Sequence, residues 1–171
     1  PPQPRIIGGA EATPHSFSSV AVLYRSGAPI CGATLLSSLH VLTAAHCIDP
    51  AGTSPSEFIV GVFRHDLRVG LGQNVPQLQA NLSQDGGCAE FLAVRWMQQH
   101  PEWDRQLFTS DVAVLRLGQP PRCKDDIVAP LLDDGSTGHP AGMVATVLGW
   151  GKTACAAPTF QKRHDPTACW S

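Results

Sequence analysis

Residues 40–47 read His-Val-Leu-Thr-Ala-Ala-His-Cys. The first four suit a short strand: two aliphatic residues flanked by a polar residue and a β-branched one, with His40 on its solvent side. Two alanines then end the run and leave His46 and Cys47 just past it. Similar runs recur on both sides, at 20–24, 30–36, 58–63, 75–80, 91–97, 112–117 and 143–148. They are rich in Val, Leu, Ile and Phe. Gly27, Gly52, Gly61, Gly70, Gly72, Gly86, Gly87 and Gly118 punctuate them, as turn residues do. No segment keeps helical periodicity over three turns. The pattern predicts an all-β fold, a sandwich or a barrel.

Composition narrows the class. The 171 residues suit one domain, or one domain and part of another. Hydrophobic residues at 43% allow a core, and charged residues at 15% exclude a charge-rich disordered chain. Twelve basic against fourteen acidic residues give a net charge of −2, which offers no footprint for nucleic acid or an anionic membrane. No apolar stretch reaches the roughly 18 residues of a spanning helix.

Six cysteines, Cys31, Cys47, Cys88, Cys123, Cys155 and Cys169, include no CxxC pair. Disulfides in an oxidising compartment fit this count, and buried free thiols in a cytosolic protein remain the alternative. Asn81-Leu82-Ser83 is a glycosylation acceptor sequon, which also favours secretion. The chain opens on Pro1 without a charged-then-apolar leader, so a processed form or a fragment is expected.

Three motifs carry chemistry, in a fixed order: Arg5-Ile6-Ile7-Gly8-Gly9, Thr43-Ala44-Ala45-His46-Cys47 and Asp111-Val112-Ala113-Val114-Leu115. Gly149-Trp150-Gly151 follows them. Singly, each has a plainer reading: a glycine turn, a surface histidine, a turn-forming aspartate. Together and in this order they resemble the trypsin/chymotrypsin-like serine proteases, from Arg5 to about Gly151. The resemblance implies an antiparallel β-barrel fold with the first barrel complete and the second only begun. It implies a propeptide remnant at 1–5, the first barrel at 6–118, a linker at 119–142, and the start of the second barrel with a divergent tail at 143–171. Arg5 and Ile6 would be the zymogen cleavage site, and Cys31 and Cys47 a disulfide beside the catalytic histidine. His46 would be the general base and Asp111 its orienter. Histidine suits the role because its unperturbed pKa, about 6.5, lies near neutrality, and a carboxylate fixes its tautomer.

The family's nucleophile lies in a Gly-Asp-Ser-Gly-Gly segment downstream of Gly-Trp-Gly, and no such segment occurs here. Twenty residues follow Gly151, and Ser171 is their single serine. Nucleophile, oxyanion hole and specificity pocket are therefore missing from these residues, and this chain alone is expected to be inactive. The receiving aspartate for a freed Ile6 amino group is missing as well. Ser136, in Asp134-Gly135-Ser136-Thr137-Gly138, sits between small residues but lies upstream of Gly-Trp-Gly, where turn chemistry accounts for it. The shift away from family-like sequence after Thr153 suggests a truncated, alternatively spliced or frame-shifted product.

The seven histidines form no HExxH or i, i+4 pair, so no metal site is expected. No cofactor is expected, since phosphate loops and dinucleotide fingerprints are missing. By resemblance the partner is a protein or peptide substrate. A non-catalytic homologue binding a protease, an inhibitor or another protein is the alternative, and a gene-model fragment is a third.

Overall fold

The computed structural model describes residues 9–49, 53–65, 67, 87–136, 138 and 141–150. Arg5, Ile6, Asn81, Cys155, Cys169, Ser171 and the expected strand at 75–80 lie outside the described residues.

Among the described residues six strands form: β1 (Val20–Arg25), β2 (Ala28–Leu35), β3 (His40–Thr43), β4 (Phe58–Val62), β5 (Glu90–Gln99) and β6 (Ala113–Leu117). All neighbours pair antiparallel in the order β1-β2-β3-β6-β5-β4, and β4 returns to β1 to close the barrel. Closure leaves no strand with a free row of backbone donors and acceptors. The β1–β2 hairpin turns on Ser26 and Gly27, both at positive φ (52° and 80°). A two-residue turn of that hand matches the strands' right-handed twist.

The interior follows from alternation. Ala21 and Leu23, Ala33 and Leu35, Val41 and Thr43, Val60 and Val62, and Ala113, Leu115 and Leu117 are all buried. Thr43 is the polar member, and its hydroxyl donates to the Gly32 carbonyl at 2.9 Å. In β5 the alternation changes phase. A bulge between Val94 and Trp96 sets Met97 opposite Leu115 and Gln99 opposite Ala113. Val94 and Met97 therefore both reach the core, three residues apart. The extra residue also tightens the strand's local twist.

A second apolar layer lies on the other face of β1 and β4. Tyr24 stacks edge-on against Phe91 at 5.1 Å, and the Arg64 guanidinium lies 5.0 Å from the Phe91 ring centre. A methyl group on Gly61 would meet Tyr24 at 2.9 Å, so the close approach of that ring requires glycine there.

Most expected strands occur with ends moved by one or two residues, because neighbouring backbone extends the pairing. The expected strand at 143–148 does not form. Val144 is 93% exposed and Val147 74% exposed, and among the described residues none pairs with this segment. An apolar run without a partner has no ladder to join, whatever its propensity. The chain divides into two compact units, one of Pro14–Ala141 and one of Pro1–Thr13 with Gly142–Ser171. Residues 119–136 thus fall in the same compact unit as the barrel. The Cys88–Cys123 disulfide ties this stretch down, with Cα atoms 5.6 Å apart. Glu90 accepts from the Arg122 amide at 2.5 Å, and Ser18 Oγ accepts from the Val128 amide at 3.0 Å.

Candidate active site

The β3–β6 register creates the site. Thr43 pairs with Ala113, so the end of β3 meets the start of β6. A 3-10 turn, Ala45–Ile48, follows β3 at once and carries His46. Asp111 lies two residues before β6. Residues 65 positions apart in the chain thereby reach hydrogen-bond distance. Asp111 Oδ2 lies 2.7 Å from His46 Nδ1, and Asp111 Oδ1 accepts from the His46 backbone amide at 2.9 Å.

This two-point grip decides the tautomer. An ionised carboxylate only accepts, so Nδ1 of the neutral ring must carry the proton. The Nε2 lone pair is then free to take a proton from a reacting group. The imidazole side chain is 49% exposed and the aspartate side chain 25% exposed, so the ring is half open to solvent while the carboxylate is more sheltered. Burial pushes the Asp111 carboxyl up. The hydrogen bonds from the His46 ring and from the His46 and Ala45 amides outweigh it, and the group rests below its ordinary value. It stays ionised at neutral pH, where it faces any positive charge that develops on the ring.

The sign of this shift gives a pH prediction. The stability Asp111 contributes is fully present above its unfolded value, about 4, and is lost as pH falls through the lower folded value. Acid titration followed by circular dichroism from about pH 5 to pH 2 should show this slope in the native chain. Asp111→Asn should flatten it, and identical slopes would contradict the assignment.

The loop between β5 and β6 walls the imidazole. Phe108 lies 6.3 Å from the His46 ring and 5.7 Å from Trp103, edge-on to the latter. Asp104 Oδ1 accepts from the Gln106 and Leu107 amides, and Arg105 reaches Asp49 at 3.4 Å. Phe108 and Ser110 both take positive φ, 51° and 54°. Such a conformation in a phenylalanine is strained. It presents the ring beside the imidazole, as an apolar wall. No motif in the loop signals this role, because the strained backbone turns the ring and backbone angles are not written in residue type.

Cys31 and Cys47 form a disulfide with Cα atoms 6.2 Å apart. Cys47 Sγ lies 3.4 Å from His46 Nε2, so the turn carrying His46 is anchored beside the ring. The groups Cys31–His46–Cys47 and Cys88–Cys123–Asp126 bring possible metal ligands together. In each the two sulfurs are bonded to one another, so neither group offers the thiolates a soft metal needs.

Ser136 does not join the site's chemistry by geometry. Its amide donates to Asp134 Oδ1 at 2.8 Å, the Gly135 amide donates to Asp133 at 2.9 Å, and Gly135 has φ of 78°. These are the marks of consecutive turns. Gln99 is the polar neighbour that motif reading missed. Its Nε2 donates to the Ala45 carbonyl at 3.0 Å.

Comparison with known proteins gives the chain its relatives. Residues 6–165 match the family model described as Trypsin. Chymotrypsin-like elastase family member 1 from Bos taurus is 29% identical over 172 residues, covering 95% of this chain and 58% of the relative. Chymotrypsin-C from Bos taurus is 30% identical over 159 residues, covering 90% of this chain and 52% of the relative. Serine protease 56 from Mus musculus is 33% identical over 147 residues, covering 86% of this chain and 21% of the relative. The chain thus spans a little over half the length of the elastase and chymotrypsin-C relatives it matches.

Proposed function

The chain belongs to the trypsin family, and on that premise we propose that it carries the base and orienter of a serine endopeptidase, without the family's nucleophile segment among these 171 residues. His46 is the general base and Asp111 its orienter. The 2.7 Å contact between Nδ1 and the carboxylate carries this reading. In the neutral ring it puts the proton on Nδ1 and leaves the outer nitrogen as an acceptor, the arrangement in which a histidine can activate a hydroxyl. Arg5–Ile6 is the activation cleavage site, 6–118 the first barrel, 119–142 the linker, and 143–171 the beginning of the second barrel with a divergent tail. The substrate is a protein or peptide. Two disulfides and the Asn81 sequon support an extracellular location.

The chain by itself is a pseudoenzyme. A general base contributes typically 10²–10⁴-fold, and only when a group is present to be deprotonated. No serine of the Gly-Asp-Ser-Gly-Gly kind occurs in these residues, and the amides that would stabilise an oxyanion flank that serine. A fluorophosphonate serine probe and a panel of chromogenic peptides test this. The purified chain should give neither labelling nor turnover. Turnover that disappears in His46→Ala would overturn the proposal of inactivity.

A further inference from the structure

We infer that Gln99 is a positioning residue, gripping the Ala45–His46 peptide from its carbonyl side while Asp111 grips the same peptide from its amide side. The inference deepens the reading of His46 as a base and rests on it. The peptide between Ala45 and His46 has two polar atoms. Its oxygen accepts from Gln99 Nε2 at 3.0 Å, and its N–H donates to Asp111 Oδ1 at 2.9 Å. Asp111 then accepts from the His46 ring through its second oxygen. Glutamine, peptide, carboxylate and imidazole form one continuous hydrogen-bonded chain. A donor on a peptide oxygen polarises the peptide and strengthens the bond its N–H donates. Gln99 therefore acts on the ring through the backbone and Asp111, without touching it.

The fold supplies Gln99 by a specific device. The β5 bulge after Val94 inverts the strand's alternation and brings Met97 to the core side with Val94, and Gln99, two residues further on, shares the face of Met97. Its register partner Ala113 lies two residues from Asp111. Ala45 is fully buried, so its carbonyl cannot turn to bulk water for a replacement partner. A methionine at position 99 would preserve length and remove the donor.

The test is hydrogen exchange and imidazole NMR on the full chain carrying Gln99→Met. The His46 backbone amide should exchange roughly ten-fold faster, as expected for loss of one supporting hydrogen bond. The His46 Nδ1–H signal should broaden, while the Leu23 and Val60 amides on the far side of the barrel keep their native rates. Unchanged His46 exchange would overturn the inference, as would equal acceleration of all amides, which marks a purely structural role. If Gln99→Met does not fold, the unaltered chain decides. Slowed exchange of the Gln99 side-chain amide supports the grip, and exchange at the rate of a free glutamine overturns it. A missing Nδ1–H signal in the unaltered chain, with His46 amide exchange still dependent on Gln99, would overturn the base-and-orienter reading and support this one.

Discussion

Leu115→Ala should destabilise the barrel by about 3 kcal/mol and lower its melting temperature by roughly 10 °C. Leu115 is fully buried at the centre of β6, opposite Val41 on one side and Met97 on the other. Truncating it leaves a cavity between β6 and its neighbours, near the strand ends from which the His46 turn and Asp111 extend. The closed barrel cannot collapse into that space without shifting several paired strands, so most of the cavity cost should survive. Leu107 is the control. It is 72% exposed, and Leu107→Ala should change stability by less than about 0.5 kcal/mol. Equal effects of the two substitutions, measured by denaturant titration, would contradict the assigned core.

Replacing Cys88 and Cys123 together by serine should cost about 4 kcal/mol, more than the roughly 3 kcal/mol for the Cys31 and Cys47 pair. The bridges close stretches of 35 and 16 residues, and the longer loop has more freedom to lose when closed. The two losses should differ in what they disturb. The Cys88–Cys123 bridge holds the chain after β6 to the start of β5, whereas Cys47 adjoins His46 itself. Thermal unfolding of both double variants checks the order. A larger loss from the Cys31–Cys47 pair would mean that native contacts around His46, and not loop closure, dominate its bridge.

The barrel was largely legible from alternation and turn residues. Strands such as β3 and β6 alternate cleanly because one face meets the core and the other meets water. His46 and Asp111 stand out through motif and order, but their contact depends on the Thr43–Ala113 register, and register is a property of pairing. Three features escaped sequence reading for physical reasons. The β5 bulge looks like ordinary strand sequence, since an extra residue changes the phase without changing composition, and Gln99 is hidden with it. The Cys88–Cys123 partnership follows from antiparallel geometry, which sets the start of β5 beside the end of β6. It emerges only once those strands are known to be neighbours. At 143–148 the error ran the other way. Propensity was sufficient to suggest a strand, yet a strand also needs a partner, and Val144 and Val147 remain exposed.

Nitrogen-15 NMR of the His46 ring in the intact chain at neutral pH goes straight to the base-and-orienter claim. In its neutral form the imidazole should carry its proton on Nδ1, with a slowly exchanging Nδ1–H signal that vanishes in Asp111→Asn, and no proton on Nε2. A ring protonated on Nε2, or one whose spectrum is indifferent to the loss of Asp111, would show that these two residues do not form a proton-accepting pair.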